Sequence, residues 1–171
     1  MESIFTRRSI RKYTDKDIND EKLKSLLKAG MAAPSARNEQ PWHFIVIRER
    51  EKLNKITSIH PYSGMLKGAP LAILVCGDKR VLPDNAEEDF GYLIVDCSAA
   101  TQNILLQAES EGLGAVWLGI YPRKERMDGL KELFSLPEHI VPVSLISVGY
   151  PAEKKPVNDR YLEERIHYNS F

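Results

Sequence analysis

Four cationic side chains and a hydroxyl lie close together near the amino terminus. Residues 7–13, here called the basic segment, read Arg7-Arg8-Ser9-Ile10-Arg11-Lys12-Tyr13. Arginine presents planar pairs of N–H donors that match phosphate oxygens, and a serine hydroxyl adds a neutral donor without further repulsion. The pattern predicts a socket for a single phosphate group. The alternative is a solvated basic turn on the protein surface.

A second polar group of residues lies in the turn-rich stretch 34–42, which begins and nearly ends with proline. It carries Ser35, Asn38 and Gln40 between a predicted helix and a predicted strand, where loops often host function. Asn and Gln amides both donate and accept, which suits the edge of a polar heterocycle. The alternative is a plain connection in which Asn38 bonds its own backbone.

The glycine-rich stretch 112–119 does not fit a classical dinucleotide-binding motif. Its glycines end a predicted helix and enter a strand, which is the reverse of the order that motif requires. Gly119, at the end of that strand, would let the backbone approach a flat ring closely. A left-handed turn residue is the alternative.

Composition narrows the class of protein. The chain has 171 residues and 43% hydrophobic content, which predicts one ordered domain with a true core. Lys plus Arg number 24, and Asp plus Glu also number 24. Because the net charge is zero, no general field attracts nucleic acid or an anionic membrane, and the basic segment must act locally.

The sequence contains no recognisable motif for metal binding, thiol redox chemistry or a serine nucleophile. Cys76 and Cys97 have no neighbour at metal-ligand or redox spacing, and the four histidines form no zinc pattern. No serine has the context of an elbow nucleophile. The chain shows neither a secretion signal nor a long apolar span, so we expect a cytoplasmic protein without metal or membrane attachment.

Hydrophobic periodicity predicts about four strands and five helices. One helix opens near Asp20 and ends before Pro34, and the run 71–76 should form a central strand, because it is apolar throughout. The wide apolar stripe of the helix at 87–111, closed by Gly112, predicts cover from outside its own domain, most simply from a second subunit. The remaining predicted elements are strands at 43–47, 115–118 and 141–148, and helices beginning at 48–51 and spanning 124–134.

Four segments, in this order and spanning almost the whole chain, together resemble the FMN-dependent nitroreductase family: 7–13, 34–44, 112–119 and 159–167. The resemblance implies an α+β fold with a mixed, mainly antiparallel sheet flanked by helices. It also implies one domain over 1–171 and a homodimer with FMN sites at the subunit interface. The C-terminal tail would be exchanged between the subunits.

The resemblance also implies which residues hold the flavin phosphate. Arg7, Ser9 and Arg11 would bind it, and Arg160 would join them from the tail. Arg8 would approach the phosphate or the pyrimidine side of the ring.

Further flavin contacts are implied in two other segments. Leu118 and Gly119 would offer backbone groups beside the isoalloxazine, where an N–H near N5 favours the reduced form. A loop would reach over from the partner subunit, with its contacts at Pro34, Ser35, Asn38 and Gln40.

The implied activity is transfer of a hydride from NADH or NADPH to FMN, and then to a nitroaromatic, quinone or similar acceptor, in alternating half-reactions. FMN would carry the chemistry, so no catalytic side chain is assigned. Tyr62, Met65 and Tyr121 are candidates for the substrate face, with ordinary packing as the alternative. Other functions left open are flavin fragmentation, reductive dehalogenation, flavin binding without turnover, and nucleic-acid binding through the basic segment.

Overall fold

Helices and strands alternate along most of the chain. The structure is a computed structural model that describes residues 2–83 and 86–171. The helices are α1 (Ser3–Thr6), α2 (Asp20–Met31), α3 (Arg50–Ile59), α4 (Ala86–Ser110) and α5 (Lys124–Phe134). The strands are β1 (Trp42–Ile47), β2 (Leu71–Asp78), β3 (Gly114–Gly119) and β4 (Ile140–Gly149).

The strands form one sheet in the order β1-β2-β4-β3, and each neighbouring pair is antiparallel. A single parallel bridge joins Ser9 to Ala115 at the β3 edge. The predicted mainly antiparallel α+β fold is therefore confirmed. Strands β2 and β4 lie in the middle of the sheet and are buried along their whole length, as the apolar run 71–76 predicted.

Local signals explain where two of the helices begin and end. Asn19 caps α2 by accepting a hydrogen bond from the Lys22 N–H at 2.9 Å, and acidic residues occupy the first turn. Gly112 has φ 72° and turns the chain out of α4, while the Leu113 N–H donates to the Ala108 carbonyl at 2.8 Å. This left-handed glycine is the predicted C-terminal cap.

The hydrophobic core has two parts, one on each face of the sheet. Alternate residues of a strand point to opposite faces, so Ile73 faces one part and Leu74 the other. Helices α2 and α4 cover the first face and include Leu26 and Ile104. Helices α3 and α5 cover the second and include Leu53. This arrangement leaves the outer edges of β1 and β3 open to other contacts.

Large apolar side chains remain exposed in two regions. On α4, Tyr92 is 52% exposed and Val95 is 63% exposed. The tail from 156 to 171 is exposed throughout and carries Tyr161 and Tyr168 among its apolar residues. Contiguous exposed apolar surface of this kind commonly marks an interface.

Two kinds of feature are absent from the residues that the structure describes, 2–83 and 86–171. None of the helices there is both long and apolar enough to pass through a bilayer. No group of three or more His, Cys, Asp or Glu side chains in the same ranges could hold a metal ion.

Candidate functional site

The basic segment runs beside the free edge of β3. The Ile10 N–H donates to the Ala115 carbonyl at 3.0 Å, and the Ile10 side chain is buried. Gly114 makes this close approach possible, since a Cβ there would lie 2.6 Å from Ile10 Cγ2. Because Ile10 faces inward in this extended stretch, its neighbours Ser9 and Arg11 face outward.

Three hydrogen bonds that involve side chains tie residues 153–156, at the start of the tail, to the basic segment. The Arg11 N–H donates to Glu153 Oε1 at 2.6 Å, and Lys155 Nζ donates to the Ser9 carbonyl at 2.5 Å. Arg8 Nε donates to the Pro156 carbonyl at 2.7 Å. Arg8 also donates through Nη1 to two nearby carbonyls, so much of its guanidinium is already engaged in holding the chain.

Arginines from both ends of the chain meet at one pocket of about 530 Å³. Arg7, Arg8 and Arg160 line it. Within the described residues, the buried Arg7 Nε and Arg8 Nη2 have no hydrogen-bond acceptor. A buried charged donor without an acceptor is costly, so this pocket is suited to an anion. Of the residues predicted for the phosphate, Arg7, Arg8 and Arg160 line this pocket together with Asp159, whereas Arg11 lines a separate cleft and Ser9 lines neither.

A larger cleft of about 920 Å³ lies along the outer edge of β3 and holds the other predicted residues of this region, Arg11, Leu118 and Gly119. Tyr62 and Met65, two of the candidates for the substrate face, also line it. Tyr121 is absent from the lining and instead packs edge-on against Phe90, with ring centroids 5.8 Å apart.

The backbone of β3 presents Gly119 to this cleft. Outward and inward backbone groups alternate along a strand edge, so the outward carbonyl of Ala115 implies the same direction for Trp117 and Gly119. Leu118 lies opposite Leu145 of β4, and its backbone groups face that strand. Gly119 has no left-handed φ, and a Cβ there would meet only open space. The geometry therefore favours close approach of a flat ring over the turn alternative.

Two side chains converge on the Gly119 carbonyl. His60 Nε2 lies 3.2 Å from it, and Arg126 Nη1 donates to it at 2.7 Å. His60 Nδ1 accepts the Tyr62 N–H at 3.2 Å, so the proton of the neutral ring is on Nε2 and both groups donate to the same oxygen. Burial, and then the Arg126 charge, lowers the pKa of His60. The pair fixes the Gly119 peptide.

Sequence reasoning missed His60 and Arg126. Each lies far along the chain from Gly119 or in a different element, and neither belongs to a motif with a recognisable spacing. Only the packing of α5 and the residues after α3 against the end of β3 brings them together.

The polar loop 34–40 has an unusual backbone. Arg37, Asn38 and Gln40 all have φ between 50° and 57°, a conformation that non-glycine residues adopt rarely and mostly where surrounding structure enforces it. The Gln40 N–H donates to Ser35 Oγ at 3.0 Å, and Gln40 Nε2 donates to Asn38 Oδ1 at 2.9 Å. Three predicted site residues are thus held together, next to the exposed Pro34.

Acidic residues on α4 hold this loop in place. Both carboxylate oxygens of the buried Asp96 accept the Ala36 N–H, at 3.1 and 3.2 Å. Arg37 Nη2 lies 3.0 Å from Asp89 Oδ1. Burial raises the pKa of Asp96. These contacts could not be predicted from the sequence, because they join residues that are distant in the chain.

The loop and the basic segment lie at opposite edges of the sheet. The loop precedes β1, and the basic segment runs beside β3. The order β1-β2-β4-β3 puts three inter-strand spacings, about 14 Å at 4.8 Å each, between β1 and β3, and the basic segment lies on the outer side of β3. One chain alone therefore does not bring the predicted loop residues to the predicted phosphate residues.

The candidate site thus consists of an arginine-lined pocket and an open cleft, and the cleft lies beside the edge strand β3 of an α+β fold. Residues 4–150 match the family model described as the nitroreductase family. The match covers most of the chain, so this chain belongs to the nitroreductase family.

Relatives and solved structures agree with this assignment. A candidate NADH dehydrogenase/NAD(P)H nitroreductase of Methanothermobacter thermautotrophicus is 51% identical over 171 residues, covering 100% of this chain and 87% of that protein. An FMN-dependent nitroreductase from Clostridium difficile superposes with a TM-score of 0.88 at 32% identity, covering 99% and 98% of the two chains. A candidate nitroreductase in complex with FMN from Desulfovibrio desulfuricans gives 0.82 at 32% identity, covering 99% and 96%.

Proposed function

We propose that this protein is an FMN-dependent oxidoreductase. It takes a hydride from NADH or NADPH and passes reducing equivalents to a nitroaromatic, quinone or similar acceptor in alternating half-reactions. Family membership and the FMN and NAD(P)H in the relatives' names support the proposal. The observation that carries it is the buried, unsatisfied donors of Arg7 and Arg8 at a pocket shared with Arg160, next to the open edge of β3.

The residues present fit FMN. Arg7 and Arg160 supply donors for the phosphate, and Ser9 and Arg11 extend the same basic segment outward. Gly119 leaves open space where a flat ring can lie against backbone. The basic segment connects the two features, because Arg7 and Arg8 line the pocket and Arg11 and Lys12 line the cleft beside Gly119.

Bound FMN supplies the capacity to accept and donate a hydride, and the protein supplies binding and electrostatics. Gly119 directs its N–H into the cleft, and the donors of His60 and Arg126 hold the Gly119 carbonyl, which belongs to the next peptide unit, and so restrain the backbone on that side of Gly119. Arg11, Lys12 and Lys155 make the cleft positive, which favours negative charge that develops during reduction. No titrating side chain is required in this role.

The complete site is a dimer feature in this proposal. A two-fold axis would bring the loop 34–40 of one chain to the β3 edge of its partner, and would create two equivalent sites. Exposed Tyr92 and Val95 on α4, and the exposed apolar tail, supply surface for that contact. Residues 1–171 then act as one domain whose tail docks on the partner.

Location in the cytoplasm stays a prediction. The free, buried thiols of Cys76 and Cys97 are compatible with a reducing compartment. Cell fractionation with an antibody against the chain tests it.

An anaerobic titration tests the proposed function. Purified protein is loaded with FMN, freed of unbound flavin, and titrated with NADH and with NADPH while the flavin absorbance is followed. We expect bleaching by at least one nicotinamide and recovery of the oxidised spectrum on adding a nitroaromatic or a quinone. Retained flavin that neither nicotinamide bleaches would indicate a flavin-binding protein without turnover, and absence of retained flavin would overturn the proposal entirely.

The phosphate contacts make a separate prediction. Charge-assisted hydrogen bonds contribute about 1.5 kcal/mol or more each, so Arg7→Ala with Arg11→Ala should weaken FMN binding by about 3 kcal/mol, roughly a hundredfold in Kd. Fluorescence quenching of FMN on titration with protein measures this. The matched control is Lys24→Ala with Arg123→Ala, which removes two exposed cations that line neither cavity. Equal affinity in both double variants would refute the phosphate socket.

A further inference from the structure

Arg126 presents a free donor edge to the cleft. Its Nη1 donates to the Gly119 carbonyl at 2.7 Å, while Nε and Nη2 have no acceptor among the described residues. Those two nitrogens form one side of the planar guanidinium, the side that binds a carboxylate through two parallel hydrogen bonds. Among the side chains that the structure describes, those of residues 2–83 and 89–171, no carboxylate lies within 4.0 Å of Arg126. A fixed, half-buried cation with an open fork is a ready anion receptor.

The other charges of the cleft do not neutralise Arg126. Glu153 is the one acid in the described lining, and it is engaged by the Arg11 N–H at 2.6 Å and by Lys155 Nζ at 3.5 Å. The pKa of Glu153 is lowered mainly by that Arg11 N–H, so it remains ionised at its own position. The cation at Arg126 is therefore left for a ligand.

Arg126 lies apart from the 530 Å³ pocket that Arg7, Arg8 and Arg160 line, because it lines the 920 Å³ cleft instead. Within that cleft, Arg126 contacts Gly119 at the end of β3, whereas the basic segment bridges to β3 at Ala115 and carries Arg11 along the same edge. Beside Arg126 lies the ring of Tyr62, which is 73% exposed and 5.9 Å from the guanidinium carbon. The guanidinium and the exposed ring together suit a ligand that has both an aromatic ring and a negative charge.

We propose that Arg126 is a specificity-determining residue that binds an anionic substituent, such as a carboxylate, on a compact aromatic acceptor over the Gly119 edge. The inference rests on the proposed function, because it names a class of acceptor for that same cleft. The enzyme then reduces anionic nitroaromatics in preference to neutral ones of the same shape. The 2′-phosphate of NADPH is a second possible anion, and the experiment separates it from the acceptor.

The test compares 4-nitrobenzoate with the isosteric neutral 4-nitrobenzamide. The readout is the ratio of their kcat/KM values in FMN-loaded wild type, Arg126→Gln, Arg126→Lys and the control Arg123→Gln, an exposed arginine outside the cleft lining. We expect Arg126→Gln to lower the ratio about tenfold. The variant removes one charge-assisted contact, whose energy is reduced because the site is partly exposed to solvent. Arg126→Lys should keep part of the preference and Arg123→Gln all of it. Loss of the Gly119 contact changes both rates together and cancels in the ratio.

A second measurement needs no variant. In wild type, benzoate should inhibit reduction of the neutral acceptor with a lower inhibition constant than benzamide. An unchanged ratio in Arg126→Gln, or equal inhibition by the two compounds, would overturn the inference. A variant whose KM for NADPH rises while the acceptor ratio stays constant would also overturn it and assign Arg126 to the dinucleotide.

Failure of the inference is distinguishable from failure of the proposed function. Wild type that retains FMN and is bleached by a nicotinamide, yet shows no preference that depends on Arg126, contradicts the inference alone. Wild type that neither retains nor reduces flavin contradicts the proposed function, and the inference falls with it.

Discussion

At the scale of single residues, Asp78 shows how one buried charge joins the sheet to the site loop. It ends β2 and is 3% exposed. Its backbone N–H donates to the Pro41 carbonyl at 2.8 Å, and its carboxylate accepts from Arg80 Nη2 at 2.7 Å. The hydrogen bonds from the Arg80 side chain are the main cause that lowers the pKa of Asp78 to about 2. The backbone of Asp78 therefore holds the end of the loop, while its carboxylate pairs with Arg80.

The Asp78–Arg80 ion pair should make the stability of the protein depend on pH. A carboxyl whose pKa is depressed in the folded state stabilises above its usual pKa near 4, and this contribution is lost as the pH falls towards 2. Arg80 is 66% exposed on its side chain, so Arg80→Gln should lower the free energy of unfolding at pH 7 by only about 1 kcal/mol. Urea unfolding at pH 7, 4 and 3 measures it, with Arg123→Gln as control. A difference that stays constant across that range would contradict the pair's role.

Several single residues of the site could be predicted, because their chemistry is local. The basic segment could be predicted from its high density of positive charge. Gly112 and Gly119 could be predicted because one follows a helical pattern and the other ends a strand pattern. His60 and Arg126 could not be predicted, because their shared acceptor is a backbone carbonyl that carries no mark in the sequence.

At the scale of elements, hydrophobic periodicity predicted the strands well, but it did not predict the short helix α1 or the backbone of the polar loop. Apolar runs located all four described strands to within two residues at each end. Helix α1 was missed, because four residues without apolar periodicity carry no helical signal. The left-handed backbone at 37–40 was also beyond prediction, since Asp89 and Asp96 on α4 fix it through tertiary contacts.

The docking of the basic segment on β3 is an element-scale prediction. A Cβ at Gly114 would lie 2.6 Å from Ile10 Cγ2, so Gly114→Ala should force the segment away from the strand. Overpacking of this kind costs about 1–3 kcal/mol, and FMN binding should weaken as the arginines shift. Thermal unfolding and FMN titration measure the two effects. The matched control is Gly68→Ala, where a Cβ has no neighbour within 4 Å, and equal behaviour of the two variants would contradict the docking.

At the scale of the whole molecule, the order of strands decides which residues can meet. Periodicity located the strands but could not order them, because pairing depends on contacts between distant segments. The family resemblance supplied the mainly antiparallel sheet and the expectation of a dimer. The order β1-β2-β4-β3 adds the physical reason for the expectation, since it holds the polar loop and the basic segment at opposite edges of one chain.

The tail provides the whole-molecule prediction. Residues 157–171 are exposed and carry Val157, Tyr161, Tyr168 and Phe171, yet they add nothing to either part of the buried core. Deleting them should therefore leave the monomer folded while removing apolar surface that stabilises the dimer, raising its dissociation constant by about tenfold or more. Sedimentation velocity measures association, and circular dichroism confirms folding.

A point variant separates the two roles of this tail. Arg160→Ala keeps the apolar side chains and removes one guanidinium from the 530 Å³ pocket, so it should weaken FMN binding while leaving the dimer intact. Deletion should weaken both, because it removes the guanidinium together with the docking surface. If the deleted protein associates as strongly as the full chain, the tail does not dock on a partner, and the exposed face of α4 around Val95 must account for any dimer on its own.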